Sequence, residues 1–307
     1  MNYEISRGCL REMDHMVEDG LGVGELAEVF TSAVQAVKTG GVESLIQLLR
    51  EHPELAYARS QKGRTLLNHL CDWPGHFPRE FETGRALIAA GADVNALAID
   101  PDRGETSLQW AVSANDVAMA ELLIDCGAAV DGLNGDLRPL AQALFYGCRE
   151  AAEMLVRRGA TVTLEFAAGL GLTGMLPRFF GTDGCLLPSA GAHTAPVKNA
   201  IRPDTTGDER MEQALIYAVI NNRIESAAYL LDRGADINAM PSGFHFRGTP
   251  LHWVAGGDSA EMVEFLVRRG ADLHAAAPKD KATPLEMAEH RKKPDIVRLL
   301  KNLGAQR

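Results

Sequence analysis

Residues 166–180 read Phe-Ala-Ala-Gly-Leu-Gly-Leu-Thr-Gly-Met-Leu-Pro-Arg-Phe-Phe. Gly169, Gly171 and Gly174 fit the pattern G-x-G-x-x-G, and the preceding stretch from Thr161 to Phe166 could pass for a strand. Read that way, the segment is the turn of a βαβ unit that cradles a dinucleotide pyrophosphate. Such a unit also needs an acidic residue about 20 positions further on. The chain offers Asp183, which comes too early, and no parallel-sheet pattern elsewhere. The competing reading buries the segment inside a helical repeat, and its neighbours decide between the two.

The dipeptide Gly-Ala closes an apolar helical pattern at Gly91, Gly127, Gly159, Gly234, Gly270 and Gly304. The spacings are 36, 32, 75, 36 and 34 residues, so a unit without its own Gly-Ala belongs between 160 and 234. A second marker runs in phase: Thr106-Ser-Leu, Arg138-Pro-Leu, Thr249-Pro-Leu and Thr283-Pro-Leu, with Thr65-Leu-Leu a looser relative. Threonine at an N-cap accepts a bond from an orphan helix N–H, and proline at the first helical position loses no bond. A short helix, a polar turn and a second helix follow, and glycine then supplies the left-handed residue that ends it. One such pair cannot bury its apolar face alone, whereas stacked copies can.

These units resemble the ankyrin repeat family. Thr249-Pro-Leu-His-Trp-Val-Ala is similar to the family's TPLHxAA segment, and Leu87 to Ala96 and Leu230 to Ala239 are similar to its helix–GADVNA ending. The resemblance covers about residues 30–307 and implies an all-α solenoid of about eight stacked repeats joined by short β-hairpin loops. The units fall at roughly 30–60, 61–97, 101–133, 134–163, 164–200, 208–240, 244–276 and 279–307. His252 alone holds the motif's histidine position, with Asn68, Gln109, Ala141 and Glu286 in its place elsewhere. The second unit carries an insertion at 73–80, a long loop runs over 181–210, and residues 1–29 read as an N-terminal capping helix. In this register Gly171 falls at the turn of the fifth unit, and Met175, Leu176, Phe179 and Phe180 form the stripe of its second helix.

Composition narrows the function. A net charge of −10 argues against nucleic acid or anionic membrane as a general partner. Five widely spaced cysteines without C-x-x-C suit reduced thiols in the cytoplasm, and neither a secretory signal nor a membrane-spanning run is visible.

In the ankyrin family, hairpin tips and the exposed end of each first helix line a concave binding groove. Carried over by the Thr-Pro-Leu register, the groove takes Asp72 and Trp73 from the second unit and Phe145 and Tyr146 from the fourth. Leu170 comes from the fifth, Ile220 and Asn221 from the sixth, and His290 and Arg291 from the last. His76 lies in the insertion, and Phe244, His245 and Phe246 form a hairpin tip placed to fold over the groove. The apolar stripe Trp73, Phe145, Tyr146, Leu170 and Ile220 either receives an external partner or is covered by the two long loops.

Weaker signals read as structure. His69, Asp72 and His76 match no standard metal spacing. Asp183, Ser189 and His193 suggest a triad, but without G-x-S-x-G they read as solvated loop polarity. The expectation is a cytoplasmic scaffold that binds a protein or peptide in its groove, with no catalytic residue, cofactor or metal. The alternative is a small-molecule or catalytic pocket formed by the groove with loops 73–80 and 181–210.

Overall fold

The computed structural model describes residues 25–98, 104–197 and 209–306. Among them the chain forms helices and turns and no sheet. Strand pairing is confined to isolated antiparallel bridges, Ala98 with Glu105 and Phe180 with Leu186, so the expected β-hairpins reduce to single bridges and turns. Up to residue 160 the helices are α1 (Glu25–Thr39), α2 (Val42–Glu51), α3 (Leu66–Cys71), α4 (Glu80–Ala89), α5 (Ser107–Ser113), α6 (Val117–Asp125), α7 (Arg138–Phe145) and α8 (Arg149–Arg157). Beyond it come α9 (Leu164–Leu170), α10 (Arg210–Ile220), α11 (Ile224–Asp232), α12 (Pro250–Ala255), α13 (Ala260–Arg268), α14 (Pro284–His290) and α15 (Pro294–Asn302). The capping helix expected over 1–29 lies outside the described residues except for 25–29, which belong to α1.

The described residues form two compact units, 25–143 with 148–160, and 144–147 with 161–306. In the first, α1, α3 and α5 stack in succession, while α2, α4 and α6 make a parallel row behind them. The second repeats the scheme, with α9, α10, α12 and α14 in one row and α13 and α15 in the other. Leucines from successive pairs fill the space between the rows: Leu45, Leu66, Leu87 and Leu108 in the first unit, and Leu215, Leu230, Leu251, Leu266 and Leu300 in the second, all buried.

The Gly-Ala marker has a single physical cause. In every instance the alanine N–H reaches back to a leucine carbonyl five residues earlier: Ala92 to Leu87, Ala128 to Leu123, Ala160 to Leu155, Ala235 to Leu230, Ala271 to Leu266 and Ala305 to Leu300, at 2.9–3.1 Å. This is the Schellman closure, which needs a left-handed residue between its partners and brings two apolar side chains together. Both the leucine and the alanine of each pair are buried.

The Thr marker explains the variable fourth position. Thr65, Thr106, Thr249 and Thr283 cap their helices in full capping boxes with Asn68, Gln109, His252 and Glu286. The four partners share only an acceptor atom for the backbone N–H of the cap. Two of them also fasten the next repeat. Asn68 Nδ2 donates to Ala96 O at 3.3 Å and to Ser107 Oγ at 3.0 Å. His252 accepts at Nδ1 from Thr249 and faces Ala282 O with Nε2 at 3.0 Å, which fixes the neutral Nε2–H tautomer. Where Ala141 leaves no acceptor, Asp136 takes over, accepting from Arg138 N at 3.0 Å. The Asn of the GADxN ending is a further staple: Asn95 Nδ2 donates to Gly127 O at 2.9 Å, and its Oδ1 accepts from Ala129 N at 3.0 Å.

The glycine motif is repeat packing. No strand precedes it; Leu164–Leu170 is helical. A Cβ on Gly169 would lie 3.3 Å from Tyr217 Cβ, so this position lets α9 and α10 approach. Gly171, at φ +78°, ends α9 in the left-handed conformation. The stripe after it differs from expectation. Leu176–Phe179 is a single 3-10 turn with proline at its start, although Leu176, Phe179 and Phe180 are buried as the pattern predicts.

Gly270 sits at φ +96° with open space where a Cβ would be, so the demand there is conformational, not steric. Gly270→Ala is expected to lower the unfolding free energy by about 1–2 kcal/mol, and Gly270→Asn by less, measured by urea titration.

Candidate binding cleft and its loop latch

In the second unit an aromatic cluster forms around the hairpin 240–247. Phe244 is fully buried, stacked on Phe145 at 6.2 Å and lying edge-on to Trp253 at 5.5 Å. Tyr146 packs on Phe145 at 5.3 Å, and Phe246 on Trp253 at 5.7 Å. Such ring pairs add about 0.5–1.5 kcal/mol each beyond area burial. Phe145 is therefore packed against Phe244 of the hairpin tip that the sequence places over the groove, and is not left exposed in the stripe. The hairpin supplies the cover, through a contact between residues about a hundred positions apart.

Beside the cluster lies a cleft of about 390 Å³. Phe145, Tyr146, Ile220, His245 and Trp253 form its apolar side, and Asp258 and Ser259 from the turn before α13, with Glu261 from its first turn, form its polar rim. Tyr146, Ile220 and His245 are half-buried. Trp253 is buried, and its Nε1–H has no acceptor among the described residues. Burial, and then the charge of Arg291, hold the His245 imidazole down at about 4, so it is neutral at pH 7. Asp258 is held at the rim by Lys293, at 2.9 Å.

Other expected groove residues do not join the cleft. Asn221 is half-buried and ties backbone: its Nδ2 donates to Leu144 O at 3.0 Å and to Tyr217 O at 2.9 Å. Leu170 is half-buried at the end of α9 and is not part of the lining. His290 is exposed and Arg291 half-buried at the end of α14. Asp72, Trp73 and His76 belong to the first unit. There Asp72 caps α3 and pairs with Arg64 at 2.7 Å, while Trp73 is 57% exposed. His69 is buried against Phe30. No residue of 73–80 or 181–197 lines the cleft.

Loop 181–197 is instead anchored from below. His193 Nδ1 lies 2.6 Å from Glu165 Oε2, and its Nε2 lies 3.0 Å from Gly243 O. Thr194 N donates to Glu165 Oε1 at 3.0 Å. Both ring nitrogens face acceptors, so the ring donates twice as an imidazolium. Burial works against that charge, but Glu165, the Gly243 carbonyl and Glu209 outweigh it and raise the His193 pKa. His193 is thus a buried latch and not solvated loop polarity, and with its ring committed to Glu165 it forms no triad with Ser189. A lone histidine in a Gly- and Pro-rich loop gives no such signal in sequence, because its partner lies 28 residues away.

A family model described as ankyrin repeats (3 copies) matches residues 79–165, and one described as ankyrin repeats (many copies) matches residues 215–267. The chain belongs to the ankyrin repeat family. It is 28% identical to human palmitoyltransferase ZDHHC13 over 230 residues, covering 74% of this chain and 35% of that protein. The B-cell lymphoma 3 protein homolog of mouse is 28% identical over 70% of this chain and 38% of its own length. The BRCA1-associated RING domain protein 1 of Caenorhabditis elegans is 31% identical over 38% of this chain and 16% of its own. The chain spans about a third of the length of the palmitoyltransferases it matches. The ankyrin repeat domain of human ASB11 superposes with a TM-score of 0.45 at 18% identity, over 90% of this chain and 98% of that one. No helix among the described residues of this ankyrin chain is long and apolar enough to cross a membrane.

The two histidines of this unit titrate in opposite senses. The raised His193 pKa contributes stability that is complete below the ordinary histidine value and lost as pH rises through the folded one. The unfolding free energy lost in His193→Gln is therefore expected to be largest near pH 6, about 3 kcal/mol, and to shrink as pH rises. His245, held at about 4, contributes stability above pH 6.5 that is lost as pH falls toward 4. His245→Gln is expected to remove about 2–3 kcal/mol of that acid sensitivity, seen by comparing urea midpoints at pH 7 and pH 4.5.

Proposed function

We propose that this protein is a binding scaffold whose cleft beside Tyr146, Ile220 and Trp253 receives a protein or peptide segment. One observation carries the reading: a cleft of about 390 Å³ opens beside Tyr146, Ile220 and Trp253. Its apolar side suits an aliphatic or aromatic side chain, and the rim carboxylate of Glu261 suits a basic neighbour. The scaffold holds these groups in place before binding, so less ordering entropy is lost on association. Membership of the ankyrin family supports a protein partner. Among the described residues, Cys71, Cys126 and Cys185 stand as thiols outside any disulfide, which supports a cytoplasmic setting.

A second reading rests on size. At about 390 Å³ the cleft is within the range of small-molecule pockets, and the neutral His245 offers a hydrogen-bonding ring.

Selection of displayed peptides on the full chain separates the two. Selected peptides are expected to carry one apolar anchor with Lys or Arg nearby. Tyr146→Ala and Ile220→Ala are each expected to weaken binding at least tenfold with the melting curve preserved. Equal affinity in both folded variants would reject the cleft as the binding site.

A further inference from the structure

The first unit holds a cluster that the scaffold reading does not use. His76, Glu80 and Asp116 each present one donor atom within 4.8 Å of the others. They come from two neighbouring repeats. His76 stands in the insertion at φ +55°, Glu80 is the first residue of α4, and Asp116 is the N-cap of α6.

Each member is already oriented. Asp116 is 4% exposed, and its Oδ1 accepts from Met119 N at 3.0 Å, which fixes the carboxylate. His76 Nε2 lies 3.4 Å from Ala114 O, an acceptor, so in the neutral ring the proton belongs on Nε2 and Nδ1 is the nitrogen that would ligate. That Nδ1 faces Glu80 Oε1 at 3.8 Å. Two ligands on one tetrahedral zinc, with bonds of about 2.0–2.1 Å, lie roughly 3.4 Å apart, so a small movement brings them into range. A backbone acceptor behind a ligating imidazole is also the usual outer partner of a metal-bound histidine.

Glu80 Oε2 is shut away from water and receives no hydrogen bond. No lysine or arginine among the described residues pairs with Glu80 or Asp116, whereas the nearby Arg79 is turned to Glu43 at 2.9 Å. Two carboxylates facing one another with one exposed imidazole are poorly compensated as they stand.

We propose that His76, Glu80 and Asp116 form a divalent-metal site that takes Zn²⁺ and clamps the 73–80 insertion to the following repeat. One nitrogen and two oxygens suit zinc, and the exposed side of His76 leaves a fourth position for water. The ion would join α4 to the N-terminus of α6 through Asp116 without disturbing its cap, because the cap uses Oδ1 and leaves Oδ2 to ligate.

Titration of the chelator-stripped full chain with Zn²⁺ by calorimetry tests the site, with circular dichroism melts in parallel. The expected result is one tight site per chain, a melting temperature raised by Zn²⁺, and no competition from millimolar Mg²⁺. His76→Ala and Glu80→Gln are each expected to weaken binding at least tenfold and to abolish the thermal shift while staying folded. Asp116→Asn, which keeps the cap, is expected to do the same. Cys126→Ser with Cys185→Ser, which removes the exposed thiols, is expected to leave binding unchanged. Undiminished Zn²⁺ binding in His76→Ala and Glu80→Gln, loss of binding in the cysteine variant, or no binding at all would overturn the proposal.

Discussion

A helix of six residues does not stand in water by itself, since forming the first turn fixes several residues for a single hydrogen bond. Helices α3 and α12 are that short. They exist because both ends are closed and one face is stacked. At the start, Thr65 and Thr249 close reciprocal boxes with Asn68 and His252. The same two side chains then reach the following repeat, at Ser107 and Ala282. One residue therefore ends the local accounting of orphan backbone groups and begins the non-local one. Removing a stacked neighbour leaves such a side chain with half its hydrogen bonds unmade in a buried place, so the repeats stabilise one another pairwise.

That arrangement separates what the fold requires from what it leaves open. The required parts are inward and few: a leucine, a glycine and an alanine at the end of six of the second helices, and in most units a cap with an acceptor three residues on. The first-helix ends and the hairpins fall outside these demands. In the second unit that freedom has been used to bring Phe145, Phe244 and Trp253 together beside a cleft. In the first unit it has been used for an insertion whose His76 meets a carboxylate from the next repeat.

The repeat was legible in sequence because its causes are local. Leu266, Gly270 and Ala271 lie within six residues, so the closure they form is written as a short string at a regular period. Capping is local too, and even the exception at Ala141 is signalled nearby by Asp136. What sequence did not reveal depends on distant partners. His193 reads as loop polarity until Glu165 and Gly243 are placed around it. Whether a partner or the chain itself covers Phe145 stays open in sequence until the hairpin tip sets Phe244 against it. The second helix of the fifth unit was expected from its apolar spacing, but Pro177 and the tight link back to Phe180 leave only a 3-10 turn. The spacing predicted burial correctly and helix length wrongly, because burial needs only the right side to face inward, whereas length needs a run of backbone donors that proline interrupts.

The same division governs what relatedness can say about partners. A palmitoyltransferase, a RING domain protein and a lymphoma protein homolog match this chain at 28–31% identity. Three unlike names attached to one repeat place functional choice outside the recurring positions. In this chain those outside positions are the aromatic hairpin, the rim carboxylates and the 73–80 insertion. The backbone can hold them in register only because none of them is asked to close a helix. A chemical group there is free to change with no loss of a cap or a Schellman bond, and Trp253 shows the limit of that freedom. It sits one residue past the capping partner His252, close enough to the frame to be buried while its ring still lines the cleft.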